Sequence, residues 1–313
     1  MIALVFPGQG AQYVGMGRAV AAAYPAARDV FDRASAALGQ DLLALVSDGP
    51  EERLRATENT QPAVLVTDLA CAAALAAHGI RPTMAAGLSL GEYAALVVAG
   101  ALALEDAVCL VRQRGQFMQE AAAGRATAMA ALIGMEAANV EALCARHRHL
   151  GVVEPANYNG AGQIVIGGDA AAVQATVAAA RGAGARRAVL LAVSAPFHTS
   201  LMAPAAERLA EALRMVPLRD ADLPVISNVT GGEVRAAEEI RTLLVRQVTA
   251  PVRWEASVRR MAALGASVFV EAGPGTTLSG LIRKTVPVPV FHVDDPATLE
   301  ETLRSLRAQA SRV

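Results

Sequence analysis

The chain has 313 residues, of which 54% are hydrophobic and 18% charged, enough to bury a large core and too apolar for a disordered segment. Lys plus Arg number 28 and Asp plus Glu 29, a net charge of −1, which excludes the broad basic footprint of a nucleic-acid binder and confines any basic patch to a local cluster. Cys71, Cys109 and Cys144 are widely spaced and form no C-x-x-C pair. They are expected to be buried free thiols of a cytosolic protein, with no zinc site and no disulfide framework.

In chain order, the apolar run Ile2–Phe6 opens the sequence as a strand, with no basic leader before it. Thr60 is expected to cap a helix over 61–78 that stops at Gly79. A strand follows at 84–88. The uncharged stretch 93–104 is too short to span a bilayer, so no membrane partner and a cytoplasmic location are expected. Glu105 and Asp106 suit the positive end of a helix reaching about residue 123. From residue 127 the rhythm changes: strand Thr127–Ile133, helix 136–148, strand 152–158, strand 163–166, helix 169–183, strand 187–193. Asn159-Gly160-Ala161-Gly162 marks a hairpin between the middle two strands. Strands at 225–227, 267–271 and 288–292 complete the chain. The expected fold is α/β: a large parallel-sheet domain of the α/β-hydrolase kind, residues 1–126 and 193–313, with an inserted ferredoxin-like βαββαβ subdomain at 127–192.

Gly87-Leu88-Ser89-Leu90-Gly91 is a G-x-S-x-G pattern between an apolar strand and an apolar helical run, the context of a nucleophile elbow. Glycine on both sides allows the tight turn. Helical N–H groups at the serine, with Leu90 N–H foremost, are placed to stabilise an oxyanion. A serine nucleophile needs a base. Of the five histidines, His78 sits at a helix end, His147 and His149 in a solvated basic run, and His292 at a strand end. His198 follows a strand, in a loop where α/β sites are assembled. Arg114 falls inside the apolar stripe of its helix, with Ala107, Leu110, Val111, Phe117, Met118 and Ala121, whereas Arg112 falls outside. A buried arginine needs an anion. Either an internal carboxylate such as Glu92 or a substrate carboxylate gripped by the guanidinium fork meets that need.

The blocks Phe6-Pro7-Gly8-Gln9-Gly10-Ala11-Gln12, Thr60-Gln61-Pro62-Ala63, Gly87-Leu88-Ser89-Leu90-Gly91-Glu92-Tyr93, Arg114-Gly115, Ala156-Asn157-Tyr158-Asn159, Ala195-Pro196-Phe197-His198, Gln247 with Pro251-Val252-Arg253-Trp254, and Glu271-Ala272-Gly273-Pro274-Gly275 resemble, in order, the malonyl-CoA:acyl carrier protein transacylases. The resemblance implies Ser89 as nucleophile and His198 as its base, without an acidic third member. It implies backbone N–H groups of Gln9 and Leu90 as the oxyanion hole, and Arg114 as the clamp on the free malonyl carboxylate. Gln61 and Asn159 would lie beside the pocket, and the segment holding Gln247 would orient the imidazole through a carbonyl. The inserted subdomain would cover the cleft. Many relatives carry histidine where this chain has Leu88, which removes one alternative base.

The implied partners are malonyl-CoA and an acidic, phosphopantetheinylated acyl carrier protein. No cofactor is implied, the coenzyme A thioester being substrate. Phe197 resembles the pattern of malonyl-selective members, since an aromatic ring fills the space an α-methyl group needs; one methyl is worth about 1–3 kcal/mol. Basic docking patches for the carrier are sought at Arg181, Arg186 and Arg187, or at Arg259, Arg260 and Lys284. The main alternative is an acyl hydrolase, proofreading or esterase-like, that uses the same Ser-His dyad.

Overall fold

The N-terminal run Ile2–Phe6 (β1) is apolar at every position because both faces of the strand are covered: Leu4 and Phe6 point into one core cluster, Ala3 and Val5 into another. It sits inside a six-stranded sheet. In the computed structural model, which describes residues 1–193 and 195–310, the strands are β2 (Met84–Gly87), β3 (Thr127–Ile133), β4 (Val153–Gly160), β5 (Gln163–Asp169), β6 (Arg187–Leu190), β7 (Val225–Ile226), β8 (Glu233–Val234), β9 (Val268–Ala272) and β10 (Val290–Val293). The large sheet has the order β10-β9-β1-β2-β7-β8. All its pairs are parallel except the edge pair β7–β8. Phe6 lies beside Gly87 in the register, so the loops leaving β1 and β2 emerge side by side at the carboxyl end, where open α/β sheets place their sites.

β3 to β6 form a separate antiparallel sheet of order β4-β5-β3-β6, the strand order of a ferredoxin-like βαββαβ unit. Its two faces follow the period of two. Ala130, Leu132, Ile164 and Ile166 pack under the helices Ala137–His147 and Ala170–Gly182. Met129, Ala131, Ala156 and Val165 face the other way, against Phe197. β4 is tied by backbone to the loop before the helix Trp254–Ala263: Tyr158 N–H donates to Val252 O at 2.8 Å, and Val252 N–H to Ala156 O at 2.9 Å.

Several boundaries differ from the sequence expectation. Thr60 is not the helix cap; the helix runs Thr57–Ala77 from Ala56, and the Thr60 hydroxyl donates to Leu54 O at 2.6 Å. The helix begins a turn early because Asn59 and Thr60 bond the carbonyls of Arg53 and Leu54 in the short preceding helix Glu51–Arg55, a tertiary contact that local capping rules do not contain. The hairpin turn is two residues, Ala161 and Gly162, both at positive φ (54° and 69°), the conformation a tight hairpin favours. β6 stops at Leu190, and Leu191 and Val193 run on as exposed chain along the cleft. Cys71 and Cys144 are buried free thiols, but Cys109 is only half-buried. Thr57–Ala77 is the one helix among the described residues long and apolar enough to cross a membrane; 83% of its most apolar window is buried inside the fold.

The close packing at the end of β2 leaves no room for side chains. A Cβ on Gly91 would stand 2.2 Å from Phe6 O and 2.7 Å from Pro7 O, and one on Gly87 would stand 1.9 Å from the Gly91 carbonyl carbon. Gly91→Ala is therefore expected to destabilise the fold by about 3 kcal/mol, measured by urea unfolding. An unchanged midpoint would show that the backbone can part there at no cost.

Candidate active site

Ser89 is placed by this junction. It occupies the turn between β2 and the helix Gly91–Val98 with φ of 55°, left-handed backbone that a residue with a Cβ seldom adopts. That conformation lifts Oγ out of the sheet. His198, also left-handed at φ 61°, meets it from the loop beyond β6. The distance from Ser89 Oγ to His198 Nε2 is 2.7 Å, and Nδ1 lies 2.7 Å from the Gln247 carbonyl oxygen. A carbonyl only accepts, so Nδ1 carries the proton and Nε2 is left as an acceptor for the serine hydroxyl. Burial, with the nearby Arg114 charge second, pushes the His198 pKa down to about 4, so the imidazole is neutral at physiological pH.

Arg114 is 2% exposed and no carboxylate among the described residues lies within ion-pairing distance of it. The alternative of a salt bridge to Glu92 is thus not realised. Nη1 donates to Gln61 Oε1 at 2.9 Å; Nη2 donates to Gln247 Oε1 at 3.0 Å and to Ser89 Oγ at 3.1 Å. The Tyr93 ring lies below the guanidinium, 5.5 Å from its carbon. All the hydrogen-bond acceptors are neutral, Nε has no partner, and burial lowers the Arg114 pKa.

Glu92 is bound elsewhere. Its Oε2 accepts from Gln247 Nε2 at 2.7 Å and from the Asn228 backbone N–H at 3.1 Å. Burial raises its pKa to about 7, against those two donors and the Arg114 charge, which lower it. Gln247 Nε2 also donates to Ser89 O at 3.0 Å, so this one residue touches Arg114, His198, Glu92 and Ser89.

The site opens into a 620 Å³ cleft between the two sheets. Gln9, Ser89, Arg114, Asn159, Phe197 and His198 all line it. Gln61 does not; it is fully buried behind Arg114 and fixes the guanidinium from the rear. Asn159 reaches the cleft from β4, with a buried Oδ1 that lacks a partner. Phe197 packs on the cleft face of the small sheet. The backbone N–H groups of Gln9 and Leu90 have no acceptor among the described residues. Three of the remaining histidines are occupied locally: His78, His147 and His149 each set Nδ1 2.9 Å from a nearby helical carbonyl. Sequence reasoning missed Asn228, which accepts from Ser89 N–H at 2.6 Å. Its only local signal is its position, two residues past an apolar strand.

Comparison with known proteins agrees with this geometry. Residues 3–299 match the family model described as acyl transferase domain. The malonyl CoA-acyl carrier protein transacylase of Bacillus subtilis is 43% identical over 310 residues, covering 98% of each chain. The crystal structure of the malonyl CoA-acyl carrier protein transacylase from Clostridium perfringens superposes with a TM-score of 0.96 at 40% identity, covering 99% of this chain and 98% of that one. A malonyl-transacylase solved in complex with a type II PKS acyl-carrier protein gives a TM-score of 0.94 at 41% identity, covering 97% of this chain and 99% of its own. The chain belongs to the acyl transferase family and, within it, to the malonyl CoA-acyl carrier protein transacylases.

Proposed function

We propose that this acyltransferase moves a malonyl group from malonyl-CoA to the phosphopantetheine thiol of an acyl carrier protein, through an ester on Ser89. The observation that carries the reading is Arg114: a buried cation beside the nucleophile, held only by neutral oxygens. Such a group favours a ligand that brings its own carboxylate.

His198 Nε2 takes the proton from Ser89 Oγ as the oxygen attacks the thioester carbonyl. Gln9 and Leu90 N–H groups hold the resulting oxyanion. The C–S bond breaks, the coenzyme A sulfur takes the proton back from His198, and malonyl-Ser89 remains. The carrier thiol then gives its proton to His198 and attacks the ester carbonyl; the C–O bond to Ser89 breaks, Oγ takes the proton back from His198, and the malonyl group leaves as the carrier thioester. The chemistry calls on no cofactor. Gln61 and Gln247 hold Arg114 at the right height for the malonyl carboxylate. Asn159 faces the bound acyl group, and Phe197 limits the room at its α-carbon. Residues 127–192 act as a cover over a catalytic unit made of 1–126 and 193–313; residues 194 and 311–313 lie outside the described structure. The acidic carrier would meet Arg186 and Arg187, which pair with no carboxylate among the described residues, whereas Glu255 and Glu233 already engage Arg259 and Arg260. The cytoplasm, where coenzyme A thioesters are used, is the expected compartment.

The decisive experiment is intact-protein mass after brief incubation with malonyl-CoA. A malonyl adduct on the wild type, absent from Ser89→Ala and discharged by holo carrier protein, is expected. An adduct lost to water as fast as it forms would instead identify an acyl hydrolase. Arg114→Ala is expected to lower kcat/KM for malonyl-CoA by about 100- to 1,000-fold, the equivalent of about 3–4 kcal/mol, while acetyl transfer changes little. Equal losses for both acyl groups would deny Arg114 the clamp role.

The pH profile gives a third check. The imidazole must be neutral to act as base, and its folded pKa lies near 4, below its ordinary 6.5. The kcat/KM should therefore stay level from pH 8 to about 5 and fall as pH drops through about 4. Stability has two opposing parts: His198 contributes a loss as pH falls from 6.5 toward 4, where the unfolded chain takes up its proton first, while Glu92, raised from 4.5 to about 7 by burial, contributes a gain as pH falls from 7 toward 4.5. Protonating Glu92 on Oε1 leaves both bonds to Oε2 in place, so no step in kcat/KM is expected near 7. A limb at 6.5 would mean that His198 is solvated in the working enzyme.

A further inference from the structure

We propose that Asn228 is a positioning residue for the nucleophile, its carboxamide clipping the Gly87 carbonyl to the Ser89 N–H and so holding the serine in its left-handed backbone. The inference rests on the reading of Ser89 as nucleophile. Asn228 follows β7, the strand paired with β2. The ladder between them would next link their backbones directly, but β2 turns away into the elbow after Gly87. The Asn228 side chain continues the ladder instead. Its Oδ1 accepts from Ser89 N–H at 2.6 Å and its Nδ2 donates to Gly87 O at 2.7 Å. The two bonds span the bend at Leu88, and opening the elbow breaks both.

The clip is itself fixed. Asn228 is fully buried; its backbone N–H donates to Glu92 Oε2 at 3.1 Å and its carbonyl accepts from Arg253 N–H at 2.8 Å. On the far side of Ser89, the serine carbonyl accepts from Gln247 Nε2 at 3.0 Å and from Glu92 N–H at 3.2 Å. Both backbone polar groups of the nucleophile are thereby held, its N–H by Asn228 alone.

The site demands one acceptor and one donor on a single planar, uncharged end. An ionised carboxylate of the same shape keeps the first bond and turns the second into a repulsion between two oxygens. A protonated carboxylic acid satisfies both. Burial and the neighbouring Glu92 carboxylate would raise the titration of an acid placed there, while Arg114, beyond Ser89, would lower it.

This distinction gives a test that a general packing role would not pass. The probe is an alkyl fluorophosphonate: the Ser89 Oγ–P bond forms, fluoride leaves, and the serine proton goes to His198. It reads the free nucleophile whatever acyl group the enzyme transfers, so failure to form a malonyl ester in the wild type is a separate result. Labelling rates are measured from pH 8 to 5 for wild type, N228A and N228D, with a melting temperature at each pH. The wild type should change by less than about twofold, since its base titrates near 4. N228A should label about 30- to 100-fold more slowly at every pH, the cost of a reacting atom slightly misplaced. N228D should be as slow at pH 8 and recover about tenfold or more by pH 5, as the acid gains its proton and the donor returns. A folded N228D that follows the wild-type profile, or stays slow at pH 5, would overturn the proposal. So would N228A labelling at the wild-type rate, which decides the matter if N228D does not fold.

Discussion

A serine with a φ of 55° at the end of a parallel strand is the constraint on which the site depends. Left-handed backbone at a residue with a Cβ costs about 1–3 kcal/mol, and His198 carries the same burden at 61°. Neither conformation survives unless its surroundings determine it. For Ser89 they do so by contact: the first turn of the helix Gly91–Val98 lies against the ends of β1 and β2 so closely that only glycine fits at 87 and 91. For His198 the determinant is the 2.7 Å bond from Nδ1 to the Gln247 carbonyl, which fixes the ring from behind. Core packing thus sets the elbow, and the elbow sets the direction of Oγ.

Much of this is legible from the chain. Ile2–Phe6 reads as a doubly covered strand because every position is apolar, and β1 occupies those residues. The Gly87–Gly91 spacing announces a sharp strand-to-helix turn, which the backbone shows. Arg114 stands out because it interrupts an apolar stripe, and it is buried. What the chain does not disclose are contacts made at long range. Asn228 meets Ser89 across 139 positions, and Gln247 reaches it across 158; neither carries a local pattern. Helix starts shift for the same reason, as at Thr57, where packing with Glu51–Arg55 outweighs the cap expected at Thr60. The strand expected over 187–193 ends at Leu190: the register with β3 closes at Ala130 opposite Leu190, one further bond runs from Leu191 N–H to Met129 O at 2.8 Å, and the chain then leaves β3, which continues to Thr127.

The electrostatics explain why no acidic residue is needed beside the histidine. Arg114, Glu92 and His198 are all within 4% of complete burial, yet the acid is turned away from both the guanidinium and the imidazole and spends its oxygen on Gln247 and Asn228. A carboxylate on Nδ1 would raise the basicity of His198 permanently. A neutral carbonyl orients the ring and raises its basicity by less than burial and the Arg114 charge lower it.

That arrangement leaves the empty site with a weak base, and the substrate itself can strengthen it. In the proposed complex the malonyl carboxylate sits on Arg114 and offsets the charge that disfavours an imidazolium. The proton affinity of His198 then rises as the acyl group arrives, which is when Ser89 must lose its proton. A neutral acyl group such as acetyl brings no such compensation. In that complex the same buried cation would contribute to acyl-group choice twice, once by binding the carboxylate and once through the base. The fold allows this coupling by bringing Nη2 of Arg114 within 3.1 Å of Ser89 Oγ, which itself lies 2.7 Å from His198 Nε2.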